Sequence, residues 1–167
     1  MAMIGVYADW DGLPEPKRMG FLHSRQTRTR ELFEFEYDPL ALTDPCFNRL
    51  QLDPEILLFT GARYPTPPKD KFGVFGDSSP DRWGRLLMKR RLERDIRAGS
   101  KAVGTRLYES DYLLGVHDLY RVGALRYKLE DEGEFLDDRT GGVSAQQMPL
   151  FTRIAEGSTA QRIMRRC

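Results

Sequence analysis

The sequence predicts an α+β domain, with a small antiparallel sheet, open or curled into a barrel, packed with one longer and one short helix. Three observations carry this. Early segments alternate apolar and polar residues with a period of two. A strongly marked helix start lies near residue 80. A second short helix and a final strand follow it. The length of 167 residues, with 40% hydrophobic and 31% charged side chains, suits one soluble domain with a real core.

The first strand falls on residues 4–10, with Ile4, Val6 and Ala8 on one face and Tyr7 and Asp9 on the other. Asp11-Gly12 marks a turn, lengthened by Pro14 and Pro16. The second strand is MGFLHSRQ at residues 19–26, and polar residues 28–30 close a hairpin. Residues 32–37 alternate, with Phe33, Phe35 and Tyr37 opposite Glu34 and Glu36. Three successive strands imply a meander with one aromatic face and one wet face. A helical turn is expected at 40–43 and a further strand at 56–63. Pro65, Pro67 and Pro68 then make an extended segment.

Ser79-Pro80-Asp81 is read as a helix start: serine as N-cap, proline at the first helical position, aspartate at the positive end of the helix dipole. The helix runs to about Ile96, with Trp83, Leu86 or Leu87, and Met88 on its apolar side and Gly99 beyond its end. Ser110-Asp111 opens the short helix and Gly115 ends it. The last strand covers residues 121–129. Residues 1–136 form the expected domain. Residues 137–167 read as a loop and a basic tail, mobile or aberrant through truncation.

Bulk properties narrow the function. A net charge of +1 excludes a uniformly basic nucleic-acid binder, so any such contact needs a local patch. Two cysteines, one of them the last residue, suit a reducing cytoplasm. No apolar run approaches the ~20 residues that span a bilayer, and MAMIGVYADWDG lacks the marks of a signal peptide, so no membrane partner is expected.

Individual constellations mostly read as structure. Asp9, Asp11 and Gly12 resemble the start of a calcium loop but lack its later ligands, so a turn is the better account. His117-Asp118 lacks a nucleophile, since no serine or cysteine stands in an elbow sequence, and reads as a polar turn. His23 lies mid-strand, at the surface or a barrel edge. Two histidines and two scattered cysteines have no ligand spacing for a metal. Asp77 and Asp81 are explained by the helix dipole at ~0.3–1 kcal/mol each. Gly73 and Gly76 precede a helix without a phosphate-loop pattern. The clearest charge feature is Arg82, Arg85, Lys89, Arg90, Arg91, Arg94 and Arg97, offset only by Glu93 and Asp95. It is either a contact patch for phosphates or an acidic partner, or a solvated helix face.

The run from Asp77 to Leu87, with Ser79-Pro80-Asp81-Arg82-Trp83-Gly84-Arg85 at its centre, resembles the N-terminal region of the HipA family of serine/threonine kinase toxins. The family's phenylalanine-rich lead-in corresponds to Phe72-Gly73-Val74-Phe75. Its helix start and following glycine and arginine correspond to Pro80, Asp81, Gly84 and Arg85. Its aspartate, paired leucines and glycine correspond to Asp111, Leu113, Leu114 and Gly115. Its later aspartate and Gly-Ala-Leu strand correspond to Asp118, Gly123, Ala124 and Leu125. FEFEYDPLAL upstream and the first two strands follow in the same order, so the resemblance covers residues 4–136. Residues 14–17 and 96–109 make longer loops than the family's, and 50–68 follows its proline stretch only loosely.

The resemblance implies a domain that packs on a kinase body and contributes to the surface met by a helix-turn-helix antitoxin. The family's phosphate loop, catalytic aspartate and magnesium-binding aspartate have no counterpart in this sequence. No catalytic residue is therefore carried over, and ATP and magnesium would belong to the missing kinase body. A free-standing relative of this domain serves as antitoxin to a shortened kinase in a three-gene arrangement. The expectation is thus a non-catalytic toxin–antitoxin component. The alternatives are a truncated or frameshifted remnant of a toxin, half of a split kinase, and a module touching DNA weakly or indirectly through the basic helix at 82–97.

Overall fold

A computed structural model describes residues 2–27, 30–129 and Phe135. Four strands, β1 (Ala2–Ala8), β2 (Lys17–Gln26), β3 (Glu31–Tyr37) and β4 (Leu125–Leu129), form one antiparallel sheet in the order β3-β2-β1-β4. The first three make the expected meander. The last strand returns beside β1, with Val6 opposite Tyr127 and Ala8 opposite Leu125. The sheet is open, because β3 and β4 lie at opposite edges. The barrel alternative is thereby corrected: four strands leave the two edges too far apart to meet.

The alternation seen in the sequence sets the faces. Ile4, Val6, Ala8, Leu22, Phe33, Phe35, Tyr37, Leu125 and Tyr127 are buried. The register shifts between Val6 and Tyr7, leaving Met19 as the extra residue on β2. Met19 and Gly20 are both buried in consequence. Gly20 lies opposite Val6 and Tyr37. A Cβ there would stand 2.2 Å from the Glu36 carbonyl oxygen and 2.7 Å from Phe35 Cζ, so only glycine lets the Phe35 ring lie against the strand.

Buried residues of the first, second and fourth helices cover this face, and the third helix rests on the fourth. The helices are α1 (Pro39–Thr43), α2 (Gly73–Asp77), α3 (Arg82–Arg97) and α4 (Glu109–Leu114), with a 3-10 turn at Asp118–Tyr120. Asp38 caps α1 through a bond accepted from Leu40 N. The phenylalanine lead-in is itself helical, as α2. Its cap comes from a distance: the buried Asp53 carboxylate accepts from Val74 N at 3.0 Å. Phe72 and Phe75 are thereby held against the sheet. Phe75 lies 5.6 Å from Phe35 and 6.1 Å from Tyr127, ring centre to ring centre.

Several expected boundaries move. Helix α3 starts at Arg82, after Asp81, whose Oδ1 accepts from Gly84 N at 2.7 Å. Ser79 is not the cap, because its hydroxyl donates to the Phe75 carbonyl. The helix ends at Arg97, with Gly99 at φ +74° beyond it. Helix α4 starts at Glu109. Asp111 lies in its first turn and accepts from Tyr108 N at 2.7 Å, closing the turn from inside. The last strand is shorter than expected because Gly123, at φ +96°, turns the chain just before it.

The expected strand at 56–63 does not form. Only Arg63 pairs, as a single bridge to Phe35. The Arg63 guanidinium donates to the carbonyls of Phe59, Thr60 and Ala62 and covers the Phe59 ring. The segment therefore coils around its own arginine, Ile56 is buried, and Leu57 and Phe59 stay half exposed. The tail expected at 137–167, and Arg28 and Thr29 of the hairpin, lie outside the described residues.

Candidate interaction surface

Helix α3 is fixed by one side chain more than by apolar burial. None of its residues is fully buried, and Trp83, expected on an inward face, is 55% exposed. Arg85 makes the anchor. Its Nη1 and Nη2 donate to the two carboxylate oxygens of Glu109 at 2.6 and 2.8 Å, and its Nε donates to the Pro80 carbonyl. The guanidinium also stacks over the Tyr112 ring at 4.5 Å. Lys71 pairs with Glu109 from the other side at 2.5 Å. Further along, Met88 Cε would lie 2.2 Å from a Cβ on Gly115, so the glycine that ends α4 also admits α3.

Two cations around one carboxylate depress its pKa. Arg85 above all, then Lys71, pull Glu109 down to about 2 against some burial that opposes them. Its ordinary pKa is 4.5, so the folded state favours the ionised form. The stabilisation is complete above pH 4.5 and is lost as pH falls toward 2. The Glu109→Gln variant should therefore be less stable than the parent at pH 6 by about 1–2 kcal/mol, scaled down because the side chain is a third exposed. The gap should close by about pH 2. Urea melts of both proteins across that range check this. A gap independent of pH would rule out the charge as its source.

The start of α4 is held by a second carboxylate, Glu31 on β3. It is buried and accepts from Ser24 Oγ, from Ser110 N at 3.0 Å and from Ser110 Oγ at 2.5 Å. A third cluster joins β1, β4 and the 3-10 turn. Asp118 accepts from Arg121 Nε and from Arg126 Nε, and Arg126 also donates to Asp9 at 3.0 Å. These groups line a depression of about 210 Å³, where two aspartates and two arginines answer one another's charge.

The positions on which the resemblance rests gather along these seams. Phe72 and Leu113 are buried, and Leu114 is half-buried against the same core. Pro80 leads into α3, Asp81 and Asp111 close the first turns of their helices, and Gly84 passes Pro80 at a distance a Cβ would reduce to 2.8 Å. Gly115 ends α4. Gly123 turns the chain into β4, the Ala124 carbonyl accepts from Asp9 N at 2.8 Å, and Leu125 is buried. Asp118 turns to the two arginines and not to the neighbouring His117, which lies 5.7 Å from the Tyr120 ring. Asp77 is exposed at the end of α2, apart from the capping role of Asp81.

The basic patch divides. Arg85 is consumed by Glu109 and leaves it. Arg82, Lys89, Arg90, Arg91, Arg94 and Arg97 are exposed. Among the described residues only Arg94 of these six has a carboxylate within reach, Asp95 at 4.0 Å. At 100° per residue the inward side of α3 carries Arg85, Met88, Leu92 and Ile96. The outward side carries Trp83, Leu87, Arg90, Arg94 and Arg97. Nothing in the sequence pattern marks Glu109 or Arg121 as anchors, because single charged residues outside a periodic stretch carry no positional signal, whereas Glu31 continues the inward phase of Phe33, Phe35 and Tyr37.

The site is thus a structured, basic, partly apolar helix face on an α+β domain. Compared with protein-family models, curated proteins and solved structures, the chain matches none. Among the described residues no helix is long and apolar enough to cross a membrane, and no group of three or more potential ligands is placed to hold a metal.

Proposed function

We propose that this chain is a non-catalytic interaction component of a bacterial toxin–antitoxin system, similar to the N-terminal domain of HipA kinases, which works in the cytoplasm. It binds a HipA-like kinase body, its helix-turn-helix antitoxin, or both. Any ATP and magnesium belong to that kinase.

The observation that carries this reading is α3. It is the longest helix described, it is locked in orientation by the Arg85–Glu109 pair, and it presents a half-exposed tryptophan with arginines to solvent. Tryptophan and arginine are the residues that dominate protein interfaces, and a rigid support lowers the entropic cost of binding. The order of the motif positions along the sequence is what supports the likeness to that family.

The test is co-expression with a HipA-like kinase encoded beside this gene. The two proteins should elute together from an affinity tag on either one and remain together through gel filtration. Separate elution at micromolar concentration would sink the reading. The six exposed basic residues favour a second reading, contact with DNA. That reading requires binding to a duplex at low salt that weakens steeply as salt rises.

A further inference from the structure

We propose that the outer stripe of α3 is a docking strip for an acidic amphipathic helix of a partner protein. Trp83 and Leu87 seat the apolar residues of that helix, and Arg90, Arg94 and Arg97 pair with its carboxylates. The inference rests on the reading of this chain as a protein-binding component and adds the chemistry of the occupant.

Spacing identifies the occupant as a helix. Trp83, Leu87, Arg90, Arg94 and Arg97 are separated by four, three, four and three residues. This is the seam spacing by which one helix lies along another. The strip is about 21 Å long at 1.5 Å per residue, enough for about four turns of a partner. Most of it is open to solvent: Trp83 is 55% exposed, the three arginines are exposed, and Leu87 is half-buried. The inner stripe of the same helix already holds α3 in place through Arg85 and Met88, so the outer one is not needed for folding.

Charge identifies the occupant as acidic. Helix α3 holds seven basic side chains against two acidic ones, in a chain whose net charge is only +1. One of the seven, Arg85, is neutralised by Glu109, and Arg94 has only a distant aspartate. The remaining cations attract an acidic helix, repel a basic one and set the register along the strip. Nucleic acid is the weaker fit. Leu87 contributes nothing to phosphate contact and Trp83 offers only one indole donor, the exposed Glu93 lies between the arginines, and a single aromatic is no stacking platform for successive bases.

The probe is a displayed library of helical peptides about 14 residues long, with one face varied among Leu, Ala, Glu and Lys. The wild-type chain should enrich peptides with leucine toward one end of that face and glutamate toward the other. Trp83→Ala, and separately the double change R90E with R94E, should weaken the selected peptides at least about tenfold. The charge-reversed protein should in turn enrich lysine. Thermal melting of both variants should match the parent, since these side chains are exposed. The proposal is overturned if the enriched peptides show no charge bias, if the variants bind them equally well, if no peptide is enriched, or if a duplex of about 20 base pairs binds in place of the peptides. Kinase co-purification that survives both variants would overturn the strip and leave the kinase reading intact. Charge-dependent peptide selection without kinase binding would do the reverse.

Discussion

Replacing Arg121 with alanine should destabilise the domain by about 3–5 kcal/mol, the cost of breaking a buried charged network. The Arg121 side chain is only 2% exposed. Its Nη1 donates to the carbonyls of Ser78 and Leu113 at 3.1 and 2.9 Å, its Nη2 to Val116 at 2.8 Å, and its Nε to Asp118 at 3.3 Å. The guanidinium also lies 4.7 Å from the centre of the Tyr127 ring. Burial pulls its pKa down, while Tyr127 and Asp118 pull the other way. One side chain thus ties the end of α2, the body of α4 and the 3-10 turn to β4. Alanine would leave those carbonyls without this donor and Asp118 with Arg126 alone. Arg121→Lys keeps the charge but not the fork, and should recover less than half of the loss. Urea denaturation measures both. A cost below about 1 kcal/mol for the alanine variant would mean that water replaces the network without penalty.

Phe35→Ala should cost a similar amount, about 3–5 kcal/mol, for a different reason. Phe35 is fully buried, 5.0 Å from Tyr37 and 5.6 Å from Phe75 between ring centres, and its ring presses on Gly20. Removing it opens a cavity between the sheet and α2. Phe35→Leu should cost much less, under about 1.5 kcal/mol, because it keeps most of the volume. The ratio of the two losses, read from denaturation midpoints, separates a cavity effect from a specific ring contact. Equal losses would point to the ring geometry itself.

These two residues differ in how legible they are from sequence. Phe35 stands in a strict alternation with Phe33 and Tyr37, so its inward direction follows from the strand period alone. The same rule places Ile4, Val6 and Ala8 in the core. Arg121 has no such signature. It follows a turn, and a charged residue there reads as solvated. Its burial depends on three carbonyls brought in from Ser78, Leu113 and Val116. The arginines of α3 show the same division. Seven basic residues stand out in the sequence as one patch, but pairing with Glu109, 24 positions later, removes Arg85 from it.

The inward side of α3 departs from expectation for a related reason. Trp83, Leu86 and Leu87 are the most conspicuous apolar residues at its start, and apolar residues usually turn inward. The helix is instead rotated so that Arg85 meets Glu109 and Met88 meets Gly115, which leaves Trp83 in water. A charge-assisted, two-pronged bond outweighs the partial burial of one ring when the sheet's core is already filled by Phe72 and Phe75.

The amino-acid sequence by itself determined the α+β class, the three-strand meander and its buried face, and the existence of two later helices. These follow from periodicity and capping, which act between residues a few positions apart. Only the tertiary structure decided that the sheet is open, that β4 lies beside β1, that residues 56–63 coil around Arg63, and which face of α3 looks outward. Each of those is settled by competition between local pairing and burial against the rest of the fold, and no local pattern records the winner.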